Sequence, residues 1–167
     1  MAEVSAPFFR FVTEADRGRA DVAGFKCGSD SWDLEVAEVL RSGEAIRIHK
    51  PPKQITFLYL TGDETSLIGF FNYARKTVRV SDQQLAGLHI TWFAVAASFQ
   101  GRGHGRTMMH AILSDARSSK IDLVDLYVYE NNVRAIAMYE KFGFAVLPGA
   151  DHVESGARYV KMVIVLD

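Results

Sequence analysis

The residues with the clearest chemical meaning are three glycines that follow an apolar segment. They lie in the run Gln100-Gly101-Arg102-Gly103-His104-Gly105-Arg106, and a helix with its apolar side chains on one face is predicted from there to about residue 118. Backbone N–H groups at the start of a helix lack partners within the helix and carry partial positive charge. Glycines allow a bulky anion to approach these groups closely. The run therefore predicts a phosphate-binding turn.

The spacing of the glycines does not match two common nucleotide-binding motifs. A Walker loop requires Lys and then Ser or Thr after its last glycine, whereas Arg106 follows Gly105 here. The dinucleotide fingerprint has the spacing Gly-x-Gly-x-x-Gly, whereas these glycines alternate with other residues. Its ribose-binding acid belongs at the far end of the next strand, but Asp122 and Asp125 lie at the front of that strand.

The sequence resembles the GCN5-related N-acetyltransferase (GNAT) family in two segments. Gln-x-x-Gly-x-Gly after a strand that ends in Ala94-Val95 resembles the acetyl-CoA motif of that family. Downstream, Leu126-Tyr127-Val128 followed by Asn132-x-x-Ala135-x-x-x-Tyr139-Glu140-Lys141-x-Gly143-Phe144 resembles the second half of the family's core. Together the segments cover roughly residues 88–144, and their occurrence in this order makes the resemblance specific.

The resemblance implies a fold, an activity and a cosubstrate. The fold is α+β, with a central mixed sheet of about six to seven strands flanked by about four helices, and we expect residues 1–167 to form a single N-acetyltransferase domain. The activity is transfer of the acetyl group of acetyl-CoA, by direct attack, to a primary amine of a small molecule or protein. Acetyl-CoA is the cosubstrate, and no metal is expected.

The resemblance also implies which residues bind the coenzyme. The amides of the turn would hold the pyrophosphate; its residues are Gln100, Gly101, Arg102, Gly103, His104, Gly105 and Arg106. The pantetheine arm would pair with the backbone of Phe93, Ala94 and Val95, where the strand splays from its neighbour. The Val95 amide would then face the thioester oxygen and stabilise the oxyanion that forms there. Asn132 would lie near the coenzyme, although it is also a candidate N-cap, as is Asn131.

Two residues are candidates for proton transfer. Tyr139 occupies the position of the family's general acid. A tyrosine can donate a hydrogen bond or a proton to the departing thiolate. The alternative is that Tyr139 is a core aromatic. His89 occupies the position of the family's catalytic glutamate, and a histidine can accept a proton near neutral pH. The alternatives are a structural histidine at residue 89 and a chain of water molecules acting as the base.

The elements that must position these residues follow from hydrophobic spacing. Residues 88–95 form a nearly apolar and therefore central strand. Strands are also predicted at residues 8–12, 55–60, 66–73, 123–129, 144–146 and 158–166. Helices are predicted at residues 14–25, 31–41 and 132–142 besides the one after the glycine turn.

Composition limits the partners. The net charge of −1 gives no basic excess for nucleic-acid binding. The single cysteine, Cys27, cannot form an internal disulfide. No secretory leader is expected, because no basic region leads into an apolar stretch at Met1-Ala2-Glu3-Val4, and no membrane span is expected, because no apolar run approaches the necessary length. A cytoplasmic enzyme without a membrane partner is expected, and the resemblance also admits a homodimer.

The acceptor is the least determined part of the hypothesis. Phe25-Lys26-Cys27-Gly28 resembles the start of the family's toxin branch, which acetylates aminoacyl-tRNA, and basic residues at 41–53 and 75–79 could meet RNA phosphates. Nucleic acid is therefore not expected, but a tRNA acceptor is kept as the alternative. A non-catalytic acyl-CoA-binding module and an RNA-binding protein on the same scaffold are alternatives of other classes.

Overall fold

The computed structural model describes residues 5–28 and 31–167, with side chains left undescribed at residues 31 and 32. Two compact units divide the chain. The first consists of Met1–Tyr73 and Trp92–Met109, and the second of Ala74–Thr91 and His110–Asp167. The strands β3 (Leu67–Val80) and β4 (Gln83–Val95) and the helix α4 (His104–Ser118) each contribute residues to both units.

The first unit joins the edge of the sheet to three helices. Strand β1 (Phe8–Phe11) pairs antiparallel with β2 (Gln54–Leu60), and the strand order continues to the first half of β3 and the end of β4. The helices are α1 (Ala20–Ala23), α2 (Ser31–Arg41) and α3 (Glu44–Arg47). Their buried side chains form one apolar cluster with those of the strands, in which Phe70, Leu58 and Leu60 are fully covered.

The second unit contains the other half of the sheet. The strand order is β3, β4, β5 (Leu123–Tyr129), β8 (Ala157–Val165) and β6 (Ala145–Val146), and β7 (His152–Glu154) pairs with β8. Strand β5 is parallel to β4 and antiparallel to β8. The helix α5 (Val133–Lys141) follows β5. The predicted mixed sheet is thus confirmed, with eight strands over the described residues; the single domain stays a prediction.

Most predicted elements are observed, but the helix predicted at residues 14–25 is wrong. A 3-10 helix (Glu14–Gly18) and α1 replace it. The carboxylate of Asp16 turns back to accept hydrogen bonds from the Thr13 amide, at 2.7 Å, and from Arg10, at 2.6 Å. The bond from the Thr13 amide is part of a capping box that begins the short helix. The helix ends at Arg19, where a ψ of 133° turns the backbone to an extended conformation before α1 starts.

The hairpin of β3 and β4 is longer than the hydrophobic spacing predicts. The expected strands end at residue 73 and begin at residue 88, whereas β3 continues to Val80 and β4 begins at Gln83. The extensions are half-buried and polar, so alternation of apolar residues could not reveal them. The short strand β7 was also missed, because its three residues are all exposed.

Asp125, in the middle of β5, is buried in the second unit. Burial opposes its ionisation, but hydrogen bonds from His89 and Lys76 and the nearby positive charge outweigh that effect and hold the pKa of Asp125 at about 2. The ordinary value is 3.8. The group therefore binds a proton more weakly in the folded chain than in the unfolded chain, and its ionised form stabilises the fold.

We predict that the stabilising effect of ionised Asp125 depends on pH. It is fully present above about pH 5 and is lost as the pH falls towards 2, because only the unfolded chain takes up this proton in that interval. The free energy of unfolding of the wild type, relative to Asp125→Asn, should fall by about 2 kcal/mol between pH 6 and pH 2. Urea unfolding at both pH values measures this difference, and a difference that does not change with pH would contradict the prediction.

Candidate active site

The glycine turn connects β4 to α4 in the first unit. A single 3-10 turn (Ala97–Phe99) precedes it, and Gly101 and Gly103 adopt positive φ angles of 76° and 87°. Helix α4 begins at His104, and the Thr107 amide donates to the Gly103 carbonyl at 3.1 Å. Within the described part of the chain, the amides of residues 101–106 have no backbone acceptor. A row of N–H groups at the start of a helix is thus available to an anion.

Gly103 has the backbone conformation and the open space that a phosphate-binding turn requires. Its φ of 87° is in the left-handed region that L side chains rarely adopt. A Cβ atom built on it would meet no atom within 4 Å, so the space beside it is open. These observations fit a pyrophosphate group held by the amides of the turn.

The side chain of Gln100 holds the turn in place. Its Nε2 donates to the Val95 carbonyl at 3.0 Å and also to the carbonyl of Cys27. The Ala97 amide donates to the carbonyl of Lys26 at 2.7 Å. The segment after α1 is therefore bonded directly to the turn. This clamp was not predicted, because the sequence alone does not bring residues 26 and 27 next to Gln100.

The end of β4 presents alternating backbone groups. The Ala96 amide donates to the Ile68 carbonyl of β3 at 2.8 Å. Since successive residues of a strand direct their N–H and C=O groups to opposite sides, the backbone groups of Phe93 and Val95 point away from β3 and those of Ala94 point towards it. This alternation suits Phe93 and Val95 as hydrogen-bonding partners for an extended ligand, and Ala94 less so.

The remaining side chains of the turn differ in their surroundings. Arg102 is exposed, with its guanidinium carbon 5.8 Å from the centre of the Phe99 ring. His104 packs edge-on against Tyr59 and Phe99, with ring centres 5.6 and 5.8 Å apart. Burial and the charge of Arg102 lower the pKa of His104. Arg106 is exposed. The glycine turn predicts a role for the backbone of His104 only, so the packing of its ring is an additional finding of the structure.

Tyr139 lies on α5 in the second unit and is buried, with its ring centre 5.9 Å from that of Phe144. Burial raises the pKa of Tyr139 well above its usual value. The phenol therefore keeps its proton at every working pH. The raised pKa makes this phenol a weaker proton donor than an ordinary tyrosine, and it leaves the O–H group able to donate a hydrogen bond.

Asn132 is the N-cap of α5. Its Oδ1 accepts a hydrogen bond from the Ala135 amide at 3.1 Å. The competing candidate, Asn131, donates to the hydroxyl of Tyr129 at 3.1 Å instead. The capping role of Asn132 is thus confirmed, and its role near the coenzyme stays a prediction.

His89 forms part of a charged cluster on β4 of the second unit. Its side chain is 27% exposed, and its Nδ1 is hydrogen-bonded to Oδ1 of Asp125. Lys76 of β3 is bonded to the other oxygen of Asp125, and Lys161 of β8 lies 3.6 Å from it. The partners Asp125 and Lys76 were not predicted, because the sequence does not reveal which residues of neighbouring strands face each other.

The register between β4 and β5 covers four pairs, from Gly87 opposite Leu123 to Ile90 opposite Leu126. Strand β5 continues beyond this register to Tyr129, paired with Tyr159 of β8. The part of β4 that pairs with β5 therefore ends at Ile90, one residue after His89. The predicted splaying of the strands beyond Ile90 stays a prediction.

The segment that resembles the toxin branch has a structural role here. Phe25 packs edge-on against Phe70, with ring centres 5.5 Å apart, and the thiol of Cys27 is buried and donates to the Asp33 carbonyl at 3.2 Å. Several of the basic residues that could meet RNA are bonded within the protein. The ion pairs are Arg41–Glu38, Arg47–Glu44, Arg75–Asp115 and Lys76–Asp125.

The described residues contain neither a group of metal ligands nor a helix that could span a membrane. No three or more His, Cys, Asp or Glu side chains are grouped as metal ligands would be. None of the described helices has the length and apolar character needed to cross a membrane. The homodimer and the cytoplasmic location stay predictions.

Comparison with known proteins supports one family. A model described as "Acetyltransferase (GNAT) family" matches residues 25–144. The spermine/spermidine N(1)-acetyltransferase of Bacillus subtilis is 32% identical over 88 residues, which are 52% of this chain and 56% of that protein. The match thus spans about half the length of this curated relative.

Solved structures confirm the fold. NAA60 of Arabidopsis thaliana, in complex with a bisubstrate analogue, superposes with a TM-score of 0.68 at 15% identity, covering 97% of this chain and all of that one. A mutant of the AtaT toxin, bound to the C-terminus of the antitoxin AtaR and to acetyl-CoA, superposes with a TM-score of 0.67 at 16% identity, covering 96% and 94%.

The predicted family and fold class are confirmed by these matches, because the family model covers most of the chain. The model also includes the glycine turn, β5 and α5, the segments that carried the resemblance. The chain belongs to the acetyltransferase (GNAT) family.

Proposed function

We propose that this protein transfers the acetyl group of acetyl-CoA to a primary amine of a small molecule or protein. The observation that carries the proposal is the glycine turn, whose amides are available at the start of the 15-residue helix α4. The pyrophosphate of the coenzyme is the anion that such a turn suits. Acetyl-CoA supplies the activated acyl group. The residues of this chain bind the coenzyme, orient its acyl group and transfer protons.

The Val95 amide is the proposed donor to the acyl oxygen. Its direction away from β3 supports this role, because a fixed N–H group costs no reorganisation when negative charge develops on that oxygen. The Gln100 side chain also holds this residue in place, because it donates a hydrogen bond to the Val95 carbonyl. Phe93 has the same orientation as Val95, and we propose that its backbone pairs with the pantetheine arm.

Tyr139 is the proposed donor to the departing sulfur. The raised pKa of its phenol keeps the O–H group intact, so it stabilises the thiolate by a hydrogen bond, and solvent completes the protonation. His89 is the proposed base. Its partly exposed ring can take a proton from the ammonium form of the acceptor, which must become neutral before it attacks.

The proposal is tested first by a screen for acceptors. The protein and acetyl-CoA are incubated with spermine, with a lysine-containing peptide that has a free N-terminus, and with aminoacyl-tRNA, and thiol release is measured. We expect turnover with spermine or the peptide. Turnover on aminoacyl-tRNA alone would favour the toxin alternative. Coenzyme binding without turnover on any amine would favour the non-catalytic module.

We predict that Gly103→Leu weakens acetyl-CoA binding. A leucine would fill the open space beside the amides and oppose the positive φ, so one or two charge-assisted hydrogen bonds would be lost. Such bonds contribute about 1.5–3 kcal/mol each, so the loss of one or two corresponds to a loss of affinity on the order of 10- to 10⁴-fold. Calorimetric titration measures this loss, with NAD as the control ligand.

Gly156→Leu is the matched control for the change at Gly103. Gly156 has a φ of 79°, and a Cβ atom on it would also meet nothing within 4 Å, but it lies in the turn between β7 and β8. The strain is therefore similar, and the affinity should stay unchanged. Equal affinity of Gly103→Leu and the wild type would refute the assignment of the phosphate turn.

We predict that Tyr139→Phe lowers kcat by roughly 10- to 100-fold and changes the dissociation constant of acetyl-CoA little. The hydroxyl acts on the leaving sulfur in the transition state, where such a donor contributes more than in the ground state. Tyr73→Phe, which removes another buried hydroxyl, is the control for general effects on packing. Equal kcat values for Tyr139→Phe and the wild type would mean that the thiolate departs without this group.

A further inference from the structure

The cluster around Asp125 is not explained by coenzyme binding. Donors from β3 and β4 converge on one buried carboxylate of β5: Lys76 is bonded to Oδ2 and His89 to Oδ1. Lys161 of β8 lies 3.6 Å from Oδ2. Both oxygens of Asp125 are thus occupied by different partners, so the carboxylate cannot rotate without losing one of them.

The arrangement determines which nitrogen of His89 carries the proton. An ionised carboxylate only accepts hydrogen bonds, so Nδ1 must be the donor in the bond to Asp125. In the neutral imidazole the other nitrogen, Nε2, then has a lone pair. Among residues 5–28 and 31–167, no hydrogen-bond partner of Nε2 is found.

We propose that Asp125 is a positioning residue that fixes His89 in the Nδ1–H tautomer, so that Nε2 is left to accept the proton of the attacking amine. This inference rests on the proposed function, in which His89 is the base. Asp125 itself does not touch the substrate. Its role is to orient the ring and to stabilise the imidazolium once the proton has been taken.

The charged and aromatic groups around His89 are consistent with the Nδ1–H tautomer. Asp125 and Tyr127 of β5 contact the ring directly. Lys76 of β3 and Lys161 of β8 contact Asp125, and His152 of β7 contacts Tyr127. The Tyr127 ring lies edge-on to His89, with centres 5.9 Å apart, and Lys161 lies 5.4 Å above the Tyr127 ring. His152 packs on Tyr127, with centres 4.6 Å apart, and its Nε2 lies 3.8 Å from Glu154.

Acetyl transfer moves protons at three atoms: the acceptor nitrogen, Nε2 of His89 and the sulfur. The acceptor ammonium gives one proton to Nε2 of His89, and its nitrogen lone pair forms the new bond to the acyl carbon. The carbon–sulfur bond breaks, and its electron pair goes to sulfur. The nitrogen loses a second proton to solvent as the amide forms, and the sulfur gains one proton from solvent with the help of Tyr139. His89 returns its proton to solvent, so one proton is released overall.

Lys76 makes Asp125→Asn an informative variant. The ammonium of Lys76 can only donate, so it keeps the single amide oxygen of the asparagine. The amide N–H group then turns to Nδ1 of His89, which must accept. The ring is thereby forced into the Nε2–H tautomer, which has no lone pair to offer the amine.

The tautomer can be measured in the free protein by long-range proton–nitrogen NMR of the histidine rings at alkaline pH. The chain has five histidines, and the spectrum of His89→Gln identifies the signals of His89. We expect a protonated Nδ1 in the wild type and a protonated Nε2 in Asp125→Asn. The wild-type spectrum alone tests the assignment if the variant does not fold, and an Nε2–H tautomer there would overturn the inference.

The kinetic arm uses the best acceptor from the screen. We expect kcat/KM of Asp125→Asn and of His89→Gln to fall by similar factors, on the order of 10²- to 10⁴-fold, with acetyl-CoA affinity unchanged. The double variant should lose no more than either single variant, because both act through one group.

The outcomes separate this inference from the proposed function. An unchanged tautomer in Asp125→Asn, together with a loss of kcat/KM in His89→Gln, would overturn the role of Asp125 and leave His89 as the base. Unchanged kcat/KM in His89→Gln would overturn the base assignment, and the role of Asp125 with it, while acetyl transfer itself would stand. Absence of turnover in the wild type would overturn the proposed function as a whole.

Discussion

The direction of the backbone groups at the end of β4 determines which of them can bind a ligand beside the glycine turn. The bond from Ala96 to Ile68 ties this end to β3, and it leaves the N–H and C=O groups of Val95 directed to the other side. The chain then enters the glycine turn directly, so one short segment ends a strand and begins a helix. A strand end and a helix start are both places where backbone N–H groups lack regular partners.

The clamp of Gln100 explains how this segment keeps its geometry. Its amide side chain bonds two carbonyls, one at the end of β4 and one in the segment after α1. A loop that must present unpaired amides benefits from such support, because Gly101 and Gly103 have no Cβ atom and therefore leave the backbone few steric constraints of its own. The resemblance of residues 25–28 to the toxin branch therefore falls on residues that support the turn.

The sequence predicted the turn and the elements that follow it, because their patterns are local. Each of these patterns occupies a short stretch of sequence, about one or two helical turns long. They are the glycines at 101, 103 and 105, the apolar face of α4 and the terminating Gly143. The contacts of His89 could not be predicted in this way. They depend on the register of β4 with β5 and on the extension of β3 to Lys76, which only the paired strands determine.

We propose that the amides of the glycine turn bind the coenzyme. Titration of uniformly ¹⁵N-labelled protein with acetyl-CoA is the sharpest test, because amide shifts report on individual N–H groups. We predict that the largest shift changes occur at residues 101–106, with a further change at Val95. Binding that leaves these amides unchanged, or no binding at all, would show that the turn does not hold the coenzyme.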